Sequence, residues 1–482
     1  MLIRQIADDK LAQYAYLIGC QRSGEAIVID PERDVDRYID LAEREGLRLV
    51  AAAETHIHAD FLSGSRELAA RIPGLRVYLS DEGGDDWRYE WPARDKTNVV
   101  FLHDGDTFAI GNIALRAWHT PGHTPEHLTY VVTDHGAGTE VPMALFTGDF
   151  LFVGDLGRPD LLESAVGVKG AMHGAARLLH ASARGLDTVD DYVQVWPGHG
   201  AGSACGKALG AIPTTTVGYE RRVSPALAKV AEGEQAFVDF ILADQPEPPL
   251  YFAEMKRLNK AGAEVLGGVP SPRRLTATDV KGLAASEHVQ VVDTRADRAA
   301  FMAGHLDGAF HAPLNRTFPT VAGSVLDPRQ SIVLLVDEAR VDEAVRDLIR
   351  IGYDRIEGWA PTSVIDELGR LGHELARIES IDFGELERRR AGGDISILDV
   401  RAATEYAAKH VPDARNIAHT RLRQRLAELA HEPGPLYVHC AAGARAAVAT
   451  ALLAHEGRDV VLVDGPFSEW TPAAAATDAV RR

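Results

Sequence analysis

The stretch Thr55-His56-Ile57-His58-Ala59-Asp60 constrains this chain more than any other. It follows residues 48–53, an apolar run that reads as a buried strand. Two imidazoles and a carboxylate at alternate positions, delivered at the end of a strand, are ligands that a rigid sheet can hold over a cleft. Neutral imidazole with carboxylate is a hard-to-borderline set, suited to zinc or non-haem iron. Alone, the motif reads more readily as a polar surface loop than as a metal site.

Later loops favour the metal. Trp118-His119-Thr120-Pro121-Gly122-His123-Thr124, Ala144-Leu145-Phe146-Thr147-Gly148-Asp149 and Val193-Gln194-Val195-Trp196-Pro197-Gly198-His199-Gly200 each end an apolar strand. Glycines beside His123, Asp149 and His199 let the backbone pass close to a shared centre. His103, His119, His127 and His173 are read as structural or surface histidines. Strands are expected at 14–18, 26–29, 77–79, 99–102, 108–110 and 113–118, with helices over 34–45 and 61–72. Many short strands with few helices imply sheet layers covered by helices.

At 482 residues the chain is too long for one ordinary core, and two or three domains are expected. No run of eighteen apolar residues occurs, so no membrane span is expected. The first residues lack a basic-then-apolar pattern and do not read as a signal peptide. A net charge of −19 argues against a nucleic-acid partner. The three cysteines, Cys20, Cys205 and Cys440, are far apart and fit a reducing cytoplasm better than secretion. Without Cys-x-x-Cys there is no structural zinc knot, and without a phosphate-cradling glycine loop no nucleotide is implied.

The series T-H-x-H-x-D, T-P-G-H-T, F-T-G-D and P-G-H resembles the metallo-β-lactamase superfamily, an αββα sandwich with its metal at one edge. The following Gly157-Arg158-Pro159-Asp160 is similar to the persulfide dioxygenase branch, with glyoxalase II a near relative. The two-metal hydrolases continue the first motif with another histidine, where this chain has Phe61. Phenylalanine cannot ligate, so one metal is expected. The resemblance implies His56, His123 and Asp149 as its ligands, a facial set that leaves positions for substrate thiolate, dioxygen and water. His58, Asp60 and His199 then orient ligands or move protons, with His58 as a direct ligand the alternative. The resemblance also implies that Arg158 and the segment Cys205-Gly206-Lys207 contact the thiol carrier. Arg158 pairing with Asp155 or Asp160 is the competing reading.

Residues 244–249 are proline-rich and mark a boundary, and a short helix over 251–259 is expected to pack on the part of the chain after it. From about 271 the chain repeats itself. Val291-Val292-Asp293-Thr294-Arg295 and Gly304-His305-Leu306-Asp307-Gly308-Ala309 match Ile397-Leu398-Asp399-Val400-Arg401 and His410-Val411-Pro412-Asp413-Ala414. Strands alternate with helices in each copy, a pattern that resembles two rhodanese-type sulfurtransferase domains. Only the last copy has a cysteine, in Cys440-Ala441-Ala442-Gly443-Ala444-Arg445 between a strand and an alanine-rich helix. Backbone N–H groups and the positive helix end favour thiolate there, and Arg445 adds charge for an anionic sulfur substrate.

The expected domains are a metallo-β-lactamase-fold domain over 1–243, a linker over 244–270, a cysteine-less rhodanese-like domain over 271–376 and a rhodanese domain over 377–482. As a whole the chain resembles persulfide dioxygenase–rhodanese fusions. That resemblance implies Fe(II)-dependent oxidation of a thiol persulfide by O₂ to sulfite, coupled to thiosulfate formation or use through Cys440. A zinc thioester hydrolase fused to a sulfurtransferase, and a non-enzymatic persulfide carrier or sensor, are the alternatives. A cytoplasmic homo-oligomer acting on small molecules is expected.

Overall fold

Hydrophobic runs that would look over-long for half-buried strands are explained once both faces of each sheet are covered. The computed structural model describes residues 1–95, 97–164, 170–245 and 247–471. It divides into one unit of Met1–Pro270 with Leu348–Gly352, and another of Ser271–Asp347 with Tyr353–Arg482. Among the described residues no helix is long and apolar enough to cross a membrane.

The first unit holds two six-stranded sheets. Strands β1 (Leu2–Asp8), β2 (Gln13–Cys20), β3 (Glu25–Ile29), β4 (Arg48–Ala53), β5 (Arg76–Ser80) and β6 (Val99–Leu102) pair in that order. In the other sheet, β7 (Thr107–Ile110), β8 (Ile113–His119), β9 (Leu128–Asp134), β10 (Ala144–Gly148), β11 (Gln194–Pro197) and β12 (Thr215–Thr216) pair likewise. Alternation along each strand sorts the layers. Tyr16 and Ile18 of β2 meet Tyr130 and Val132 of β9 in the core between the sheets. Ala15 and Leu17 turn to the opposite face, toward Tyr38 and Ala42 of helix Asp36–Arg44. Val131 of β9 packs with Leu179 and Ala183 of helix Ala171–Gly185 and with Phe237 and Ile241 of helix Glu234–Leu242. Helices thus cover both outer faces, giving an αββα sandwich.

Several expectations shift. The helix expected from residue 61 begins at Ser65, because Phe61 to Gly64 continue the motif loop. The helix after the proline-rich stretch, Phe252–Ala261, belongs to the first unit and not to the repeats beyond it. Its Asn259 amide donates to the carbonyls of His58 (2.8 Å) and Phe61 (2.7 Å) and accepts the Ser63 N–H at 2.8 Å. Pro246 of that stretch, and residues 472–482 of the last domain, lie outside the described residues.

The second unit holds two parallel sheets. One comprises β13 (Val289–Asp293), β14 (Phe310–His311), β15 (Ser331–Leu335) and β16 (Ile356–Ala360), in the order β14-β13-β15-β16. The other comprises β17 (Glu379–Ile381), β18 (Ser396–Asp399), β19 (Arg415–Asn416), β20 (Leu436–His439) and β21 (Val460–Val463), in the order β17-β21-β20-β18-β19. Read from β14 and from β19, the strand order is the same. The duplication reaches the side chains. Arg295 forks onto Asp293 as Arg401 does onto Asp399, at 2.7 and 2.5 Å. His305 Nδ1 donates to the Phe301 carbonyl and His410 Nδ1 to the Tyr406 carbonyl, both at 2.9 Å.

Candidate metal centre and sulfur-transfer site

Strand ends bring His56, His123 and Asp149 together, all buried, with one ligand atom from each lying within 4.8 Å of the others. Hydrogen bonds decide which nitrogen each imidazole presents. The Thr55 hydroxyl donates to Asp30 at 2.8 Å, so it accepts from Nδ1 of His56 at 3.0 Å. His123 Nδ1 lies 3.1 Å from the Arg158 carbonyl, and His199 Nδ1 lies 3.1 Å from the Ala12 carbonyl. A carbonyl only accepts, so both Nδ1 atoms carry a proton, and in the neutral ring each Nε2 presents a lone pair.

Those lone pairs face a carboxylate. Nε2 of His123 and Nε2 of His199 each stand 3.4 Å from an oxygen of Asp149, and neither of these buried oxygens takes a hydrogen bond. Lone pairs set against an anion in a dry site repel unless a cation lies among them, so the donor set fits a bound metal ion. Burial, then the field of neighbouring imidazoles, holds His56 well below its ordinary value, and burial also lowers His123 despite Asp149. Both rings are therefore neutral, as ligation requires.

Two further clusters adjoin this one. Asp60 and His199 meet at 3.2 Å and group with Cys205, which was expected in a carrier-contacting segment and not beside a ligand cluster. The signal for this was its position six residues past His199, in the same glycine-rich loop. Burial, then Asp60 and Asp149, pushes the Cys205 thiol well up. His58 groups instead with Asp30 and Glu54, its Nε2 3.2 Å from each. Although burial disfavours its charge, Asp30 and Glu54 hold His58 well above its ordinary value. Phe61 fills the space beside it, ring centroids 4.3 Å apart.

His127, expected as a structural or surface histidine, supports the centre directly. Its Nε2 accepts the Asp149 N–H at 3.0 Å, and its ring stacks on His56 at 5.1 Å. The i, i+4 spacing from His123 was the available signal. Arg158 and Lys207, expected to contact a thiol carrier, have partners within the protein. Arg158 is fully buried, forks onto Asp160 at 2.8 and 2.7 Å, and donates to the Ala204 carbonyl at 2.9 Å. The Lys207 amine caps the helix Glu234–Leu242, donating to the carbonyls of Phe240 (2.6 Å) and Ala243 (3.0 Å). Both side chains support loops of the centre.

In the second unit, Cys440 is buried in the turn between β20 and helix Ala444–His455. Gly443 takes a φ of +86°, a conformation open to glycine, and lets the turn enter the helix. Arg445 forks onto Glu405 at 2.6 and 2.8 Å, a carboxylate that holds the guanidinium up; Cys440 adds to this. The corresponding turn of the cysteine-less copy holds Asp337, whose Oδ1 accepts the Thr362 hydroxyl at 3.0 Å.

Comparison with known proteins accords with this geometry. A model of the metallo-β-lactamase superfamily matches residues 8–199, and one of the rhodanese-like domain matches 382–473. The chain is 30% identical over 250 residues to the mitochondrial persulfide dioxygenase ETHE1 of Bos taurus, covering 51% of this chain and 84% of that protein. It is 35% identical over 188 residues to a hydroxyacylglutathione hydrolase of Gloeobacter violaceus, covering 39% of this chain and 63% of that one. A crystal structure described as a metallo-β-lactamase from Staphylococcus aureus subsp. aureus COL superposes with a TM-score of 0.66 at 40% identity, covering 75% of this chain and 99% of that one. With its sandwich, buried His/Asp centre and cysteine-bearing parallel domain, the chain belongs to the persulfide dioxygenase–rhodanese fusions of the metallo-β-lactamase superfamily.

Proposed function

We propose that the chain oxidises a low-molecular-weight thiol persulfide, such as glutathione persulfide, to sulfite with O₂ at one Fe(II), and passes sulfur through a Cys440 persulfide. The observation that carries this is the His56–His123–Asp149 set, two neutral imidazoles and a carboxylate, with Phe61 where a second-metal histidine would stand. Persulfide anion, O₂ and water give thiol, sulfite and a proton. A ferrous ion held by these residues supplies the dioxygen chemistry that side chains lack. Thr55, Arg158 and His127 fix the orientation of the three ligands. Asp60 and His199, 3.2 Å apart, hold the proton that the departing thiol needs. Sulfite attacks the outer sulfur of the Cys440 persulfide, giving thiosulfate and Cys440 thiolate; Arg445 offsets the charge. Free thiols at all three cysteines support a reducing, cytoplasmic setting.

The test is O₂ uptake by the iron-loaded chain with glutathione persulfide, with sulfite and thiosulfate measured together. Uptake with about one iron per chain is expected. The hydroxyacylglutathione hydrolase relative and the Asp60–His199–Cys205 cluster favour a second reading, a zinc thioester hydrolase. Two tightly held zinc ions with thioester hydrolysis and no O₂ uptake would establish it. A passive persulfide carrier would show neither activity.

A further inference from the structure

The cysteine-less copy reaches the turn that carries Cys440. Arg298 opens helix Arg298–Ala303, whose first turn is capped by Asp297, Oδ1 accepting the Ala300 N–H at 3.0 Å. Its guanidinium crosses to Asp464, just past β21, with Nε 3.0 Å from each carboxylate oxygen and Nη2 2.9 Å from Oδ1. The pair lies over Gly443. A Cβ at that glycine would collide with Asp464 and stand 3.0 Å from Cζ and Nε of Arg298. Both side chains are about one-third exposed (36% and 31%), so a small solute can reach them. Asp464 holds the guanidinium above its ordinary value, and the nearby Cys440 adds to this.

Arg445, which offsets charge at Cys440, is shared between that sulfur and Glu405. Both Nη atoms of Arg445 are held by Glu405, and Arg401 is buried on Asp399. Arg298 binds Asp464 through Nε and Nη2, and among the described residues Nη1 makes no hydrogen bond. The sulfur exchange needs such a donor. When Cys440 thiolate takes the outer sulfur of thiosulfate, a Cys440 S–S bond forms, the thiosulfate S–S bond breaks and sulfite leaves with the electron pair. One thiolate charge and two on thiosulfate become one on persulfide and two on sulfite. A cation that never titrates suits an exchange that is triply anionic throughout.

We propose that Arg298 is a positioning residue of the Cys440 site, clamped by Asp464 over Gly443 so that its guanidinium draws thiosulfate or sulfite to the sulfur, and that the cysteine-less domain thereby completes the site of its neighbour. This rests on the reading of Cys440 as the sulfur carrier.

The experiment is thiosulfate:cyanide sulfur transfer by the full chain and by Arg298→Gln, Arg298→Lys and Cys440→Ser. Alongside it, Cys440 is alkylated with anionic iodoacetate and neutral iodoacetamide, mapped on the peptide carrying that cysteine. Arg298→Gln should raise KM for thiosulfate about tenfold with kcat within about twofold, and lower the iodoacetate-to-iodoacetamide rate ratio several-fold. Arg298→Lys should restore most of both. Unchanged KM and ratio in Arg298→Gln, with transfer abolished in Cys440→Ser, would overturn the proposal and leave Arg298 as packing between the two copies. Equal slowing by both reagents without rescue by lysine would overturn it too. Transfer surviving in Cys440→Ser would instead remove the carrier reading beneath it.

Discussion

Asp149 belongs to the centre itself, whereas His127 and Glu126 hold it from outside. Asp149→Ala removes the only carboxylate of the proposed ligand set and should reduce bound iron from about one per chain to a small fraction, read by elemental analysis. His127→Ala touches no proposed ligand atom, yet it strands the Asp149 N–H that His127 Nε2 now accepts at 3.0 Å. Metal affinity should fall about tenfold to a hundredfold, measured by competition with a chelator. Glu126 is a different case. Its buried carboxyl accepts the Ile57 N–H at 2.7 Å, between the two motif histidines, and burial raises it to about 7. A carboxyl raised on folding binds more protons folded than unfolded between its ordinary value and about 7, so it costs stability as pH rises through that window. Glu126→Gln keeps an acceptor without the charge and should gain on the parent chain in thermal melts as pH rises from about 4.5 to 7. Glu126→Ala should lose about 1–3 kcal/mol by leaving the Ile57 N–H unpaired.

At the scale of elements, loops and not strands carry the tolerances. Gly157 packs so closely under the Asp149 loop that a Cβ would collide with the Asp149 carbonyl and lie 3.2 Å from Cβ of His123. Neither neighbour is a flexible side-chain end. Gly157→Ala should cost upwards of about 2 kcal/mol in denaturant unfolding and lower metal content with it. Gly282, in helix Ala277–Ala284, has nothing within 4 Å of the place a Cβ would take, and Gly282→Ala should stabilise by about 0.4–1 kcal/mol. The contrast also explains the late start of the helix at Ser65. Gly64 lies where a side chain would strike the Glu32 carbonyl, and Asn259 ties down the residues before it, so an apparent helical run yields to the loop.

For the whole molecule, coupling of the two chemistries turns on Cys440. The three proposed metal ligands all lie in the first unit, so Cys440→Ser should keep O₂ consumption and metal content while the product changes from mainly thiosulfate to mainly sulfite. Product analysis at matched turnover checks this. Unchanged thiosulfate would place the transfer elsewhere, and loss of O₂ uptake would mean that Cys440 delivers substrate to the iron. The same variant should abolish thiosulfate:cyanide transfer, since Asp337 occupies the matching turn of the other copy.

Much of the architecture was legible because local chemistry fixes it. Several apolar runs each closed by His, Asp and Gly together read as strands ending in ligand loops, and the repeated Asp-x-Arg and His motifs form the same hydrogen bonds in both copies. Partner choice was not legible, because it depends on residues distant in sequence. That Arg158 and Lys207 reach backbone carbonyls, that His127 holds the Asp149 N–H, and that Arg298 meets a carboxylate 166 residues away on Asp464 became visible only when packing brought those groups together. A side chain's charge and reach are written in the sequence; what stands within that reach is set by the tertiary fold.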